Sequence, residues 1–370
     1  GMLITQYWGK GDTAPIRSIT GIALKAGLCF GGLVLLLTAL LPHQLLRLFT
    51  SDETIVQAGV QYLQILKFSY LFYIVTTLLM AFLRSMEVVT ISFYVSLMSL
   101  LLNVAINYTL IFGHFGFPEL GLQGAAIGTL TARIMELLVV LSYVLFREKR
   151  IRLFSKNPFH RNAALSRDYR NVAVPVVLTN LLWSLATPIQ TGILGHLSSD
   201  AIAANSVSTT MFQYLKVVTV SEASATSVSV GKMVGEGRNS KAELQPYVRA
   251  LQLIFLLLGL VLGGILLAIR QPLLRLYVLS PTAKALANQL LLLMVLIFVG
   301  MAYQMPASVG IIRGGGETKF NMHLNLISTW AIVMPLSFAA AFWWKLPVFW
   351  VVFFLNSDQL FKCIPILYYT

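Results

Sequence analysis

Two short stretches of this 370-residue chain, QYWGKGD at 6–12 and KMVGEGR at 232–238, share a Gly-x-Gly signature. The first lies almost at the start of the chain and the second lies past the middle, at an offset of 226 residues. A signature that returns after such a long interval indicates an internal repeat, and further matches in the same order would support it.

Two further pairs of segments do match in that order. LLRLF at 45–49 resembles LLRLY at 273–277, and AFLRSMEVVT at 81–90 meets GIIRGGGETK at 310–319. Their offsets are 228 and 229 residues, so the three matches drift by only three residues. Together they predict that the chain contains two structurally related halves.

Composition indicates that both halves lie in a membrane. Hydrophobic residues make up 57% of the chain and charged residues only 11%, whereas a soluble domain carries roughly 25% charged residues. Long continuous apolar runs of about 20 residues predict membrane-spanning helices and an all-α fold. We predict ten spans, at 20–42, 58–83, 90–113, 121–146, 171–195, 200–231, 247–269, 285–312, 320–344 and 347–369.

The positive charges set an orientation. The formal net charge is +13, and the chain has no basic stripe with interleaved aromatic residues, so we expect no nucleic-acid partner. If the first Gly-x-Gly loop is cytoplasmic, 17 lysines and arginines lie in loops on that side and five in loops on the other. This bias follows the positive-inside rule.

The repeat also predicts how the chain is organised. Six spans separate the two Gly-x-Gly loops, so both loops face the same side and the halves are parallel repeats. Two spans precede the second loop and none precedes the first, so we expect two more helices upstream and twelve in two pseudo-symmetric bundles. The predicted parts are an N-terminal lobe at 1–150, a basic cytoplasmic linker at 151–170 and a C-terminal lobe at 171–370.

These motifs resemble those of the multidrug and toxic compound extrusion (MATE) family. The two Gly-x-Gly loops are similar to the family's loops after its second and eighth helices. Residues 172–207 resemble its seventh helix and the turn into the eighth, 103–113 its fifth helix, and 311–320 the loop after its tenth. The likeness covers nearly the whole chain, and the order and spacing of the motifs carry it.

The resemblance implies a secondary antiporter rather than an enzyme. Family members export organic, often cationic, compounds in exchange for sodium ions or protons, by a rocker-switch motion of two six-helix lobes around a central cavity. It therefore implies a monomer of the bacterial inner membrane, with a small-molecule substrate and no cofactor beyond the coupling ion. The main alternative is a flippase for a lipid-linked precursor, which shares this architecture at the superfamily level.

Two departures from the family bear on the coupling ion. A glutamate that some members carry in the seventh helix is Trp183 here, and an aspartate of the tenth helix is Ala302. The cation site of that subgroup is therefore missing. Other members use an aspartate in the first helix, which would precede this chain.

Charged residues inside the predicted spans are the first candidates for a transport site, because a charge in the membrane interior needs a partner or water. Arg133 and Glu136 lie three residues apart on one helix face. Glu136 is either a carboxylate that faces a cavity and takes part in proton or substrate binding, or one half of a self-neutralising structural pair. Glu222 and Lys216 could together gate or coordinate an ion, and Glu222 is the leading acidic candidate. The alternative is that Glu222 caps a broken turn or bonds a neighbouring helix.

Other polar residues complete the set. Lys67 lies at the centre of a span, where it could meet an anion, pair with a carboxylate or line a water path. Asp358 and Lys362, four residues apart, are predicted to form a structural pair. Hydrogen bonding between helices is the default role of uncharged polar residues in spans, but some of them must line a wet transport path. These candidates are Asn103, Asn107, Asn180, Gln190, Asn205, Gln213 and Gln304, and Trp183 is a further candidate for the cavity wall.

Overall fold

The structure, a computed structural model, describes residues 1–47, 52–154, 163–238 and 240–370. Across these ranges the chain is helical and contains no strand. Several long helices include short π-helical turns, and the last one consists of three closely spaced pieces. The helices are α1 (Met2–Gly9), α2 (Thr13–Leu40), α3 (Pro42–Arg47), α4 (Glu53–Ser85), α5 (Thr90–Phe112), α6 (Gly121–Arg147), α7 (Ala163–Gly195), α8 (Ser199–Gly235), α9 (Lys241–Arg275), α10 (Pro281–Gly315), α11 (Thr318–Trp343) and α12 (Val348–Tyr369).

Nine of the helices found in the described ranges are long and apolar enough to cross a membrane. They correspond to nine of the ten predicted spans. The remaining predicted span, 200–231, corresponds to α8, which has 37 residues. Its many serines and threonines and its charged residues make it less apolar than the other nine. The all-α membrane fold is therefore confirmed, and the count of ten spans stays a prediction.

The chain divides into two compact units. Unit 1 comprises Leu3–Tyr169 with Gly1, and unit 2 comprises Arg170–Thr370 with Met2. In unit 1, α4 packs against α2 and α6, and α5 packs against α6. In unit 2, α10 packs against α8, α9 and α12 and has the largest buried share of the nine candidate spans. Each unit therefore has its own helical core.

Small residues allow these helices to approach closely. A Cβ placed on Gly128 of α6 would collide with the Asn107 side chain of α5. In unit 2, a Cβ on Gly310 would lie 2.6 Å from the Cβ of Thr226. Such contacts matter in lipid because no hydrophobic effect drives helices together there.

The two Gly-x-Gly loops have the same backbone conformation. Gly11 and Gly237 follow the ends of α1 and α8, and both adopt positive φ, +72° and +85°. In each loop the N–H of this glycine donates to the carbonyl three residues earlier, at 3.0 and 3.1 Å. The next N–H reaches the carbonyl five residues earlier, at 3.1 Å in both loops. This hydrogen-bond pattern is a Schellman motif, which favours glycine at the left-handed position.

The second pair of matched loops also agrees. Glu87 and Gly316 have φ of +64° and +125°, and their N–H groups donate to the carbonyls of Arg84 and Arg313 at 3.0 and 3.1 Å. The backbone conformations of these two pairs of loops thus agree with the repeat. The remaining match, 45–49 with 273–277, lies partly outside the described residues.

Candidate functional site

In unit 1, the predicted pair in α6 is formed. Arg133 Nη1 lies 2.6 Å from Glu136 Oε2, and the exposed fractions of the two side chains are 34% and 7%. The Arg133 guanidinium also lies 4.6 Å from the centroid of the Tyr73 ring on α4. A cation over an aromatic face is attracted to its π electrons. The charge of Glu136 is therefore neutralised within its own helix, and the pair docks on α4, which corresponds to the structural alternative.

Two asparagines of α5 form a short polar ladder toward α6. Asn107 Nδ2 donates to Asn103 Oδ1 at 3.1 Å, and Asn103 Nδ2 donates to Thr129 Oγ1 at 3.5 Å. The second oxygen of this ladder, Asn107 Oδ1, is buried and has no hydrogen-bond partner among the described residues. It lies close above Gly128, where a larger residue would collide with it. The ladder joins two helices and leaves one acceptor open.

In unit 2, Lys216 and Trp183 come together. The Lys216 ammonium lies 4.3 Å from the centroid of the Trp183 ring. Trp183 is 52% exposed, while Lys216 is half-buried and Asp358 is near enough to attract it electrostatically. Trp183, which stands where some family members have a glutamate, thus contacts Lys216 through the face of its ring. Ala302, the other departure, is fully buried.

Glu222 lies two helical turns further along α8 and does not pair with Lys216. In the described part of the chain, Glu222 makes no ion pair, and its buried Oε2 has no hydrogen-bond partner. Residues next to it pack closely: Ala223 and Thr226 face Gly310 of α10. Glu222 is half-buried beside a tight helix contact, and one of its carboxylate oxygens has no hydrogen-bond partner within the described ranges.

A second polar cluster in unit 2 is larger than the sequence indicates. Lys362 Nζ lies 2.7 Å from Asp358 Oδ2, so the predicted pair is formed, and both residues are buried. Lys362 also donates to Asn325 Oδ1 of α11 at 3.0 Å. Gln359 Nε2 donates to Asp358 Oδ2 at 3.0 Å, and Gln304 Nε2 of α10 donates to Gln359 Oε1 at 2.7 Å.

This cluster ties α10, α11 and α12 together. Sequence analysis singles out Gln304 but misses Gln359 and Asn325 as its members. The only local signal for Gln359 is its place next to Asp358. Nothing near Asn325 in the sequence predicts contact with a residue 37 positions away.

The remaining candidates show no shared site. Asn180 and Gln213 are exposed, and Gln190, Asn205 and Lys67 are half-buried. Lys67 Nζ lies 5.3 Å from the ring of its neighbour Phe68. In the described ranges, no group of three or more histidine, cysteine, aspartate or glutamate side chains could hold a metal ion. The structure therefore brings candidates together in separate clusters within each unit.

Comparison with known proteins agrees with this architecture. A family model described as MatE matches residues 1–109 and 175–339, which together make up more than half of the chain. The chain belongs to the MATE family. The resemblance drawn from its loops and helices is thereby confirmed.

Relatives and solved structures of the MATE family extend the match. The probable multidrug resistance protein YoeA of Bacillus subtilis is 24% identical over 363 residues, covering 94% of this chain and 75% of the relative. NorM of Rhizobium meliloti, also named a probable multidrug resistance protein, is 26% identical over 364 residues, covering 92% and 73%. The fold of VcmN, a MATE transporter of Vibrio cholerae, matches with a TM-score of 0.87 at 18% identity, over 99% of this chain and 81% of VcmN.

A transporter of the MOP superfamily from Pyrococcus furiosus matches equally well, with a TM-score of 0.87 at 16% identity, over 99% of this chain and 80% of its own. At these identities the structures show a common fold. Family, relatives and candidate spans together identify a multi-pass MATE transporter of the bacterial inner membrane. MATE proteins are secondary transporters of compounds rather than enzymes.

Proposed function

We propose that this MATE protein exports small organic compounds, cationic ones among them, by antiport with sodium ions or protons. Glu222 is the carboxylate that we assign to coupling. Two lobes rocking about a substrate site would expose that site alternately to the two sides of the membrane. For coupling, the ion must bind the two states with different affinity, because an ion that binds both equally shifts nothing.

The unpartnered carboxylate of Glu222 carries this proposal. Three carboxylates lie well inside predicted spans, and two of them, Glu136 and Asp358, have a cation of their own helix within 2.7 Å. Glu222 has none among the described residues. A charge in the membrane interior costs several kcal/mol unless it is paired or hydrated. Binding of a proton or a metal cation would remove that cost, and the ionised carboxylate left after its release would attract a cationic substrate.

The structural alternative for Glu222 has less support. A carboxylate that capped a broken turn or bonded a neighbouring helix would accept a hydrogen bond. Glu222 accepts none from the described residues, and α8 continues without a break through this position. The geometry therefore favours a group that exchanges its partner over one that holds two helices together.

Efflux from liposomes tests the proposal. The full-length protein would be reconstituted, and ethidium efflux would be followed under a sodium gradient or a proton gradient imposed separately. We expect one gradient to drive efflux and Glu222→Gln to abolish it. The matched control is Glu236→Gln, which removes a carboxylate from the exposed loop after α8. Efflux that survives in Glu222→Gln would move coupling away from this residue.

A flippase for a lipid-linked precursor is the second candidate function. The observation that favours it is the environment of Lys216. An anion path would need free cations in the spans, where Arg133, Lys67 and Lys216 are the candidates. Arg133 is neutralised by Glu136. Lys216 has no ion pair within 4.0 Å among the described residues and lies over a half-exposed tryptophan. If neither gradient drives ethidium efflux, translocation of a fluorescent lipid-linked pyrophosphate in the same liposomes, and its loss in Lys216→Met, would support the flippase.

A further inference from the structure

The segment that follows α6 folds into a fixed hook rather than a free linker. The helix ends in a π-helical turn at Arg147, and the next residue, Glu148, is buried. Glu148 Oε1 accepts the N–H groups of Arg150 and Ile151 at 2.8 and 2.9 Å, and its Oε2 accepts the N–H of Arg152 at 2.9 Å. Three backbone donors satisfy this carboxylate, so its oxygens are turned into the loop.

Two apolar anchors hold the hook against unit 1. Ile151 and Leu153 are fully buried in the core that also contains residues of α2 and α4. Arg17 of α2 donates its Nε–H to the carbonyl of Ile151 at 2.7 Å. Between the anchors, Arg152 has φ of +50°, a left-handed conformation that is unfavourable for a non-glycine residue. The backbone of Arg152 is thus set by its surroundings.

A partly open cavity of about 420 Å³ lies between the hook and the end of α6. Glu148 belongs to its lining, but both of its oxygens accept backbone hydrogen bonds within the hook. One part of its wall is cationic, with Lys149 and Arg152, which are both exposed and have no ion-pair partner among the described residues. Another part is apolar, with Leu145, Phe146 and Phe154. Phe146 is 75% exposed. A cavity with one basic wall and one apolar wall is complementary to an amphiphile with an anionic headgroup.

The position of this cavity limits what can occupy it. It lies where the candidate span Gly121–Arg147 ends, on the side that the distribution of lysine and arginine predicts to be cytoplasmic. At that depth a side chain meets lipid headgroups and the upper parts of acyl chains. The cytoplasmic leaflet carries anionic lipids, and each basic residue near it contributes about 1 kcal/mol of attraction.

We propose that this cavity binds an anionic phospholipid of the cytoplasmic leaflet. The phosphate lies between Lys149 and Arg152, where guanidinium N–H groups and an ammonium donate charge-assisted hydrogen bonds to its oxygens. The lipid's glycerol and acyl region lies on Leu145, Phe146 and Phe154. Free phosphate has no apolar group that could contact this apolar wall. The proposal does not depend on transport, because it concerns binding alone.

Native mass spectrometry of the purified full-length protein in detergent tests this site. Phosphatidylglycerol and phosphatidylcholine would be added separately, and the apparent Kd of each would be measured. We expect phosphatidylglycerol to bind more tightly. The variant Lys149→Ala/Arg152→Gly should weaken its binding by about 10- to 30-fold, at about 1 kcal/mol for each basic residue. Glycine at position 152 tolerates positive φ, so this variant should keep the fold of the hook.

The control is Arg167→Ala/Arg170→Ala, which removes the same charge from exposed positions at the start of α7. We expect it to bind phosphatidylglycerol as the wild type does. Equal losses in both variants would overturn the site in favour of general charge attraction, and unchanged binding in the hook variant would overturn it outright. Displacement of the lipid by millimolar glycerol 3-phosphate would show a site for free phosphate instead. Phe146→Ser should weaken the binding of phosphatidylglycerol, and glycerol 3-phosphate should still fail to displace the lipid from this variant.

Discussion

Helix α6 in unit 1 and helix α12 in unit 2 each carry an ion pair inside a candidate membrane span. At the offset of 229 residues that relates Arg84 to Arg313, Arg133 corresponds to Lys362. The carboxylate follows the cation by three residues in α6 and precedes it by four in α12. The repeat therefore keeps a cation at the same place in the span, while the carboxylate that neutralises it comes from the opposite direction along the helix.

The surroundings of the two pairs differ more than the pairs themselves. The side chain of Arg133 is 34% exposed and rests on Tyr73, whereas that of Lys362 is 4% exposed and bonds to Asn325 as well as Asp358. Amides extend the second pair onto two further helices, and an aromatic ring supports the first. We infer that the pair in unit 2 is built into the core and that the pair in unit 1 is closer to a surface contact.

Removal of Lys362 should have the largest effect. Lys362→Met would leave Asp358 charged and buried, and breaking a buried pair in this way costs about 3–5 kcal/mol. We expect a large fall in the apparent Tm of the detergent-solubilised protein, followed as the fraction that remains monodisperse after heating. Asp358→Asn/Lys362→Met, which removes both charges, should recover most of the loss. If Asp358→Asn/Lys362→Met is no more stable than Lys362→Met, the pair stabilises the fold through the packing of its side chains rather than through their charges.

The corresponding change in unit 1 should cost less. Arg133→Met would leave Glu136 without its donor, a loss of about 1–3 kcal/mol for an unsatisfied buried group. Water can reach this pair more easily because Arg133 is partly exposed, so we expect a smaller fall in Tm than for Lys362→Met in the same assay. Arg133→Lys serves as the control, since it retains the charge over Tyr73. An effect as large as that of Lys362→Met would make the two pairs equivalent and contradict the comparison.

The matched loops should show the smallest effects. Gly316→Ala places a side chain at φ of +125° and should cost about 1 kcal/mol or slightly more. Glu87→Gly at the corresponding position relieves positive φ but adds freedom to the unfolded chain and removes the hydrogen bond from Trp8 Nε1, 3.3 Å long. We expect these terms to cancel nearly, with little change in Tm. A marked destabilisation by Glu87→Gly would show that the Trp8 contact, not the backbone, holds the first loop.

Much of the fold could be predicted from local signals. Nine predicted spans agree with helices in the described ranges to within several residues at their ends, and the Gly-x-Gly loops have matching hydrogen bonds in both halves. Apolar runs and glycines at turns act locally, so the sequence carries them directly. The exception is α8, whose serine, threonine and asparagine residues make it polar for a span.

The candidate clusters were predicted only where both partners lie on one helix. Arg133 with Glu136 and Asp358 with Lys362 follow from spacings of three and four residues. The contact of Lys216 with Trp183 joins α7 and α8, and that of Gln304 with Gln359 joins α10 and α12. Pairing Glu222 with Lys216 is not what the structure shows, because the aromatic ring holds Lys216 instead.

The sequence by itself determined the membrane class, the repeat, the family and the pairs within helices, because hydropathy, turn glycines and helical spacing are properties of short segments. Tertiary packing alone decided which polar groups of different helices meet and which are left without a partner. It gave Lys362 a second hydrogen-bond acceptor in Asn325 and placed the Lys216 ammonium over the ring of Trp183. It left Glu222 Oε2 without a hydrogen-bond partner among the described residues. Those outcomes depend on how helices distant in sequence are rotated against one another, which no local pattern encodes.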